Sequence, residues 1–247
     1  MSPKQNFAIL IVISGLIGAF FITAQVSTTP LQPYTVRYAS VEGPVQPVTK
    51  AARRADGVTA EFTYDGASGV LERQNILDIK GLDHIRYDPI SNTVWKRPLT
   101  KQEYSELKAS PRTCGQATLN EGVCIQHAGQ MLGQTVDRHE FATALPDGSE
   151  IKVVEYLAPN LGYLLLRREE ITKEEKRIRQ ATELTVGEAD ASLFNIPPGA
   201  RPIADYRQFI ETAAKARTGS VPASYQTYLD RFEKQERRLK ETGQFMK

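Results

Sequence analysis

Most of the chain alternates between apolar and polar residues, and this alternation limits the fold more than any other feature. In residues 58–64, Val58, Ala60, Phe62 and Tyr64 are apolar while the residues between them are polar. A period of two places alternate side chains on opposite faces of a β-strand, so this segment is expected to be half buried. Further strands are expected near residues 34–39, 70–79, 83–87, 93–96, 134–144, 150–157, 163–168 and 177–186. Turn residues separate these segments, which predicts a strongly curved, mostly antiparallel sheet of about seven to nine strands.

Helices are expected beside the sheet, which makes the predicted fold class α+β. Thr100-Lys101-Gln102-Glu103 matches a capping box, in which the threonine hydroxyl and the glutamate carboxylate satisfy each other's free backbone amides. The helix that follows should end near residue 109 and cap an open half-barrel. Residues 206–214 and 225–239 carry apolar residues at helical spacing on both sides of a Gly-Ser-Val-Pro turn. This spacing predicts a C-terminal helical tail.

The N-terminal segment resembles an export signal. Lys4 precedes an apolar run, Phe7–Val26, which has no charged residue. A secretory signal has an apolar core of about 7–15 residues and a membrane-spanning helix needs about 20, so the run fits either a cleaved signal, with Ala24 before the cleavage site, or an uncleaved anchor in the inner membrane. Both alternatives place the rest of the chain outside the cytoplasm, periplasmic or secreted, because Lys4 should stay inside.

Changes in composition divide the chain into four parts. Residues 1–26 form the signal peptide or membrane anchor, and residues 27–50 form a Pro-rich linker that can merge into a first strand. Residues 51–202 are expected to form the curved sheet domain, and residues 203–247 the helical tail.

The chain contains two cysteines, Cys114 and Cys124, in a turn-rich segment. In an oxidising compartment such a pair is expected to close a small disulfide loop, which the chain-entropy model credits with about 2–3 kcal/mol. Two buried free thiols are the alternative.

The overall charge gives no reason to expect a nucleic-acid partner. Lysine and arginine total 31 against 29 acidic residues, and the formal net charge is +2. Basic pairs such as Arg167-Arg168 and Lys176-Arg177 have acidic neighbours, so the sequence lacks the basic face that phosphate binding requires. We therefore expect no nucleic acid among the partners.

A search for catalytic motifs finds no G-x-S-x-G elbow, phosphate loop, dinucleotide fingerprint or H-E-x-x-H. Ser105-Glu106-Leu107-Lys108 fits S-x-x-K, but its companion motifs are missing and its serine lies inside the predicted helix. His84 has no evident set of partners and is expected to be structural. No cofactor is expected.

One predicted strand concentrates ionisable residues. Asp137 and His139 should share one face of it, with Glu140 beside them, and His127 precedes them in the chain. These four residues are candidate ligands for a small molecule or a metal. The alternative is that His139 is an exposed strand residue that is hydrogen-bonded to a neighbouring carboxylate.

The apolar positions of the last helix offer a candidate surface for a protein partner. They include Tyr225, Tyr228, Leu229 and Phe232. The residues that follow mix basic and acidic side chains, which is typical of a solvated helix face. The tail therefore either packs on the sheet or docks a partner.

Two motifs in the second half of the chain resemble exported bacterial proteins of unassigned function. The first is Val154-Glu155-Tyr156-Leu157-Ala158-Pro159-Asn160-Leu161-Gly162, followed by a Leu-rich strand. The second runs from Leu184 to Pro197 and contains Ser192-Leu193-Phe194-Asn195-Ile196-Pro197. Together they cover about residues 129–201. At the level of fold pattern these proteins are similar to the periplasmic lipoprotein-sorting carriers. The resemblance implies an unclosed barrel whose concave face is covered by helices and holds acyl chains.

Three functions follow from these observations. The first is an exported, non-enzymatic carrier-like protein that binds an apolar ligand, a lipid or a lipidated protein, and it requires one apolar sheet face that is incompletely filled. The second is an envelope scaffold whose C-terminal helices dock a protein partner. The third is a metal-dependent enzyme centred on Asp137, His139 and Glu140.

Overall fold

The computed structural model describes residues 32–43, 47–66, 68–108, 122–144 and 150–247. The apolar run Phe7–Val26 and the cysteine Cys114 lie outside these ranges. Within them, no helix combines the length and the apolar composition that crossing a membrane requires.

Twelve strands among the described residues form one open, curved sheet. In chain order they are β1 (Tyr34–Glu42), β2 (Val48–Arg53), β3 (Thr59–Tyr64), β4 (Leu71–Asp78), β5 (Asp83–Asp88), β6 (Thr93–Pro98), β7 (Val123–Met131), β8 (Gln134–Ala144), β9 (Glu150–Ala158), β10 (Leu164–Ile171), β11 (Lys176–Val186) and β12 (Arg201–Pro202). Their order across the sheet is β12-β6-β5-β4-β3-β2-β1-β11-β10-β9-β8-β7. All neighbours are antiparallel except β12, which runs parallel to β6. The expected mostly antiparallel, open sheet is therefore confirmed.

The strand count is higher than the expected seven to nine. The strand expected near residues 34–39 is β1, which lies in the middle of the sheet, whereas β2 begins at the end of the Pro-rich segment and was not expected. β7 was missed because its side chains are mostly exposed and so show no alternation. β12 was missed because it is only two residues long. The pairing of β1 with β11 and of β12 with β6 joins segments that are distant in the chain, and local patterning cannot report it.

The central strand β1 joins two antiparallel meanders. Residues 47–98 form β2–β6 on one side of it, and residues 123–186 form β7–β11 on the other. β1 pairs with β2 from Tyr34 opposite Arg53 to Tyr38 opposite Thr49. Its other edge pairs with β11, with two register shifts that bend the strands.

In the part of the chain that the structure describes, three α-helices lie outside the sheet order: α1 (Lys101–Lys108), α2 (Tyr206–Thr218) and α3 (Ala223–Glu241). The capping box of α1 is confirmed, because Glu103 accepts from the Thr100 amide at 2.8 Å while the Glu103 amide donates to the Thr100 hydroxyl at 3.1 Å. The α2 helix begins after Asp205, whose carboxylate accepts from the Gln208 amide at 2.7 Å. It ends at Gly219, whose φ of 75° suits glycine.

One face of β1–β6, the helix face, carries α1, α2 and α3. Directly opposed residues on successive strands form one row across it: Val36, Ala51, Glu61, Asn75, Arg86 and Trp95. Trp95 contacts Tyr206 of α2, with ring centroids 4.7 Å apart, and Phe232 of α3 at 6.1 Å. The middle of this row is polar, so the apolar lining implied by the carrier resemblance is not found on the helix face between β3 and β5.

The other face of β1–β6, the crossing face, is apolar where β3 and β4 meet. Phe62 and Ile76 are buried there, together with Val58 and Ala60. The crossing segment (residues 187–200) lies across these residues and connects β11 to β12. Its Leu193, Phe194 and Ile196 pack against this cluster. The second sequence motif therefore covers the crossing face where β3 and β4 meet.

A second apolar cluster, the seam cluster, lies where β1, β8, β10 and β11 approach each other. Its buried members are Val36, Tyr38, Val136, Ala158, Leu161, Leu164, Leu166 and Ala181. Leu161 comes from the 3-10 turn Pro159–Leu161, which ends at Gly162 with a φ of 70°. The first sequence motif therefore forms a tight β9–β10 connection that places a leucine in this cluster.

The packing of α3 on Trp95 predicts that Leu229 stabilises the fold. Leu229 is 0% exposed, so Leu229→Ala in the full chain should leave a cavity and lower the free energy of unfolding by about 2–5 kcal/mol. Tyr225→Ala is the matched control on the same helix, because Tyr225 is 36% exposed and its loss should change stability by about 0.5 kcal/mol or less. Urea unfolding followed by the fluorescence of Trp95, the one tryptophan, measures both. Equal effects of the two substitutions would contradict this packing.

Candidate functional site

An open cleft lies at the end of the β7–β8 hairpin and has a volume of about 470 Å³. Its wall includes Gly129 and Met131 from β7, Val136 from β8 and Tyr156 from β9. The hairpin closes through Leu132 and Gly133, whose φ values of 49° and 75° suit a tight two-residue turn. The turn therefore fixes where β7 ends and where the cleft opens.

The inner wall of the cleft is apolar and continuous with the seam cluster. Val136 is a buried member of that cluster, 1% exposed. Met131 and Tyr156 are only partly buried and pack against it. Leu132 at the mouth is 42% exposed. An apolar molecule bound in the cleft would therefore pack directly against the seam cluster.

The outer wall of the cleft is polar and internally paired. The Arg167 guanidinium donates to Glu169 Oε1 at 2.8 Å and to Gln180 Oε1 at 3.1 Å. It also lies 5.8 Å from the centroid of the Tyr156 ring. Because the charge of Arg167 is balanced by Glu169, this wall offers a polar rim and little net charge. The arrangement suits binding of an apolar or amphipathic molecule.

Asp137 and His127, two of the predicted ligand residues, meet in a structural contact. The His127 amide donates to Asp137 Oδ1 at 2.9 Å. His127 has a φ of 53° and lies where the β7–β8 register shifts between Ile125 and Gly129. Asp137 is 3% exposed, so its carboxylate stabilises this bulge from a buried position.

His139 and Glu140 point to separate partners. His139 lies on the same face as Asp137, as expected, because they oppose Glu155 and Leu157 of β9. Its Nδ1 is 3.9 Å from Glu155 Oε2. Glu140 instead pairs with Lys152 at 2.8 Å and with Arg138, and these contacts hold the pKa of Glu140 below its ordinary value. In the ranges that the structure describes, no group of three His, Cys, Asp or Glu side chains is placed to hold a metal.

Cys124 lies in β7 directly opposite His139. Cys114, its expected partner, is outside the described residues, so the pairing of the two cysteines stays a prediction.

The four predicted partner-binding residues of α3 divide into two pairs. Leu229 is fully buried, and Phe232 lies against Tyr206 and Trp95 with ring centroids 3.8 Å and 6.1 Å away. These two side chains belong to the protein's own core because the apolar side of α3 packs on the sheet. Tyr225 and Tyr228 keep exposed side chains, at 36% and 44%.

A buried polar network around His84 was missed by the sequence analysis, which found no partners for this residue. His84 Nδ1 lies 3.1 Å from Glu103 Oε1, and its Nε2 lies 2.7 Å from Asn75 Oδ1. Arg97 binds both carboxylate oxygens of Glu103, at 2.6 and 2.7 Å. Its Nε is also 3.5 Å from Glu236 of α3. The network therefore connects α1 and α3 to β5 and β6 through hydrogen bonds and ion pairs. The capping glutamate was the only signal in the sequence that pointed to it.

Burial is the largest influence on the pKa values in this network. It lowers the pKa of His84 because it disfavours the imidazolium, and the hydrogen bond to Glu103 offsets this only in part. Burial alone would raise the pKa of Glu103. Hydrogen bonds from His84 and Arg97 outweigh it and hold the pKa of Glu103 well below its usual range. A neutral His84 and an ionised Glu103 are the stable pair at neutral pH.

No family model and no curated protein matches the sequence. Among solved structures, an uncharacterized conserved protein from Thermus thermophilus is 8% identical with a TM-score of 0.43, over 71% of this chain and 91% of that one. PNGF-II is 17% identical with a TM-score of 0.42, over 75% of this chain and 33% of PNGF-II. The LolA superfamily protein NE2245 from Nitrosomonas europaea is 8% identical with a TM-score of 0.27, over 67% and 91%. Each of these TM-scores lies below 0.5, so the similarity of the folds is weak.

The Glu103 network predicts a stability loss that depends on pH. Glu103→Gln removes the charge that Arg97 and His84 share, so the free energy of unfolding at pH 7 should fall by about 2–3 kcal/mol. The folded-state pKa of Glu103 lies below the ordinary 4.5. Its contribution is therefore complete above about pH 4.5 and is lost as the pH falls through the folded-state pKa.

Urea unfolding of the wild type and the variant at pH 7 and at lower pH measures this dependence. The lowered pKa of His84 makes both proteins less stable below its ordinary value of 6.5, so the difference between them is the quantity to follow. Glu106→Gln is the matched control on the exposed side of α1, and it should change stability little. A gap between wild type and Glu103→Gln that stays constant into strong acid would contradict the assignment.

Proposed function

We propose that the protein is an exported, non-enzymatic binding protein of the cell envelope. Its ligand is apolar or amphipathic, such as the acyl chain of a lipid or of a lipidated protein. The ligand is held in the cleft at the end of the β7–β8 hairpin. The observation that carries this proposal is the apolar inner wall of the cleft, which is the accessible edge of the seam cluster. The sequence predicted an unfilled apolar sheet face as the binding surface. The surface we propose is instead this edge of the seam cluster.

The size of the cleft suits such a ligand. Small-molecule sites commonly occupy about 300–1,000 Å³, and the cleft volume of about 470 Å³ lies inside this range. Burial of each methylene contributes about 0.8 kcal/mol, so ten methylenes would contribute roughly 8 kcal/mol before the cost of association. Association itself costs at least about 4 kcal/mol, and an open cleft buries a chain only in part, so the net binding free energy is smaller than the roughly 8 kcal/mol of a micromolar complex. An acyl chain held here would therefore bind more weakly than micromolar and could be released to an acceptor.

The polar rim is suited to orienting the ligand rather than to reacting with it. The described lining residues other than Arg167 are uncharged, and the Arg167 guanidinium is engaged by Glu169 and Gln180. The remaining rim groups are amides and the Tyr156 phenol, which donate or accept hydrogen bonds at neutral pH. These groups support binding as the activity of the site.

The sequence of the N-terminus supports an extracytoplasmic location. The apolar run Phe7–Val26 after Lys4 would either be cleaved as a signal or anchor the chain in the inner membrane. In both cases the sheet would meet lipids and lipoproteins in the compartment where a carrier acts.

The alternative function is an envelope scaffold that acts through its C-terminal helices. The exposed side chains of Tyr225 and Tyr228 on α3 favour it, because large aromatic side chains are common at the centre of protein interfaces. Leu229 and Phe232 are used internally, which leaves a smaller surface for a partner than the sequence suggested.

Filling the cleft should remove ligand binding. Gly129 lines the cleft, and a Cβ at this position would meet no atom within 4 Å, so Gly129→Leu adds bulk without a backbone clash. We expect the full chain, incubated with phosphatidylglycerol or phosphatidylethanolamine vesicles and re-purified, to carry bound lipid detectable by native mass spectrometry. The Gly129→Leu variant should carry roughly tenfold less, because a change of about 1.4 kcal/mol in binding free energy is tenfold in affinity.

Gly199→Leu is the matched control for added bulk. Gly199 lies in the crossing segment, and a Cβ there also meets nothing within 4 Å. This variant should carry as much lipid as the wild type. A wild-type protein that never acquires lipid, or equal lipid in Gly129→Leu and Gly199→Leu, would overturn the proposal.

A further inference from the structure

Arg53, at the end of β2, is a charged side chain in a buried position. It is 8% exposed and lies on the helix face opposite Tyr34 of β1 and Thr59 of β3. Its Nη2 donates to the backbone carbonyl of Leu107 in the last turn of α1, at 2.9 Å. Arg53 is thus enclosed between the sheet and the carboxyl end of a helix.

The guanidinium of Arg53 lacks a counter-ion among the residues that the structure describes. Its Nε is buried and makes no hydrogen bond. The neighbours on both adjacent strands, Tyr34 and Thr59, are neutral. Arg54, the next residue, is different: it pairs with Asp56 at 2.8 Å, and its side chain is 36% exposed.

A buried cation without an anion is unfavourable, and arginine cannot relieve this by losing its proton. Burial lowers the pKa of Arg53, but the pKa of arginine is ordinarily so high that the side chain stays charged at neutral pH. The Leu107 carbonyl is a partial negative charge at a helix end and satisfies one of five N–H groups. The Nε–H and its neighbouring Nη–H form the fork that carboxylates and phosphates bind.

We propose that Arg53 is the anchor of an oxyanion site, in which a carboxylate or phosphate group accepts hydrogen bonds from the Arg53 fork beside Tyr34. Tyr34 is suited to this place because burial raises the pKa of its phenol, which therefore remains a neutral hydroxyl donor. The exposed carboxylate of Glu61 lies two residues along β3 from Thr59 on the same face. Solvent screens the charge of the exposed Glu61 carboxylate more than it screens the charge of the buried Arg53 guanidinium. The electrostatic potential beside Arg53 therefore favours an anion.

This site is separate from the lipid proposal, since none of its residues lines the cleft. The anion has two sources with the same chemistry: a small free anion such as inorganic phosphate, or the headgroup of an anionic lipid. Water-soluble probes distinguish them, because inorganic phosphate tests the first source and short-chain phosphatidylglycerol below its micelle concentration tests the second.

The experiment observes the Arg53 guanidinium directly in the full chain. The Nε–H resonance of Arg53 is assigned by its disappearance in Arg53→Lys, and it is then followed by nitrogen–proton NMR during titration with each probe. Sodium chloride at equal ionic strength is the salt control. We expect a saturable shift of this resonance with at least one probe and no shift with chloride. A response to phosphate alone, or to phosphatidylglycerol alone, supports the site and identifies the source.

Thermal unfolding supplies a second readout. A probe at a hundredfold excess over its dissociation constant should raise the Tm of the wild type by about 5–10 °C. Arg53→Lys should lose most of this rise, measured against its own probe-free Tm, because lysine cannot form the fork. Arg54→Lys, the adjacent and exposed control, should keep it. Tyr34→Phe should weaken binding and fold normally, since the aromatic ring is retained.

The proposal would be overturned if neither probe shifts the Arg53 resonance at concentrations up to tens of millimolar. It would also be overturned if Arg53→Lys and Arg54→Lys show the same rise in Tm, because the anion would then bind elsewhere. If Arg53→Lys does not fold, the comparison of Tyr34→Phe with the wild type decides: equal affinity of the two proteins overturns the placement beside Tyr34.

Discussion

The pairing of β1 with β11 is the constraint on which the rest of the structure depends. It joins residues about 145 positions apart, such as Arg37 and Glu183, and turns two separate meanders into one sheet. Without it, β1 and β11 would each present a long unpaired edge. The seam cluster forms across this junction, with Val36 and Tyr38 from β1 and Ala181 from β11. The hydrophobic core of this half of the molecule therefore forms only once these two distant segments of the chain have paired.

Much of the fold was predictable because its signals are local. The strand at residues 59–64, the β3–β4 hairpin and the capping box of α1 all depend on neighbours within a few positions. A strand was expected at residues 34–39, where β1 lies, but its pairing with β11 was not, because periodicity carries no information about partners that lie far away in the chain. The exposed side chains of β7 hid the strand that borders the cleft.

The candidate site was less predictable for a related physical reason. Asp137 and His139 share a face as their spacing requires, but the register places Glu155 beside one and a bulge beside the other. These two ionisable residues, which are close in sequence, therefore stabilise the pairing of the strands. The cleft instead collects ordinary residues, such as Met131, Tyr156 and Gln180, from separate strands. Arg53 gave no signal either, because whether any described residue neutralises its charge depends on what folds around it.

The two proposed sites flank β1 and are independent of each other. Tyr34, opposite Arg53, and Ala39, opposite Gln180 of the cleft, are five positions apart on the same strand. At about 3.3 Å per residue this separation is roughly 17 Å. Tyr34, Met131 and Tyr156 all pack against the seam cluster, so both sites border that cluster. An anion at Arg53 would act on the contact between α1 and the sheet, and an apolar ligand would act on the β7–β8 hairpin.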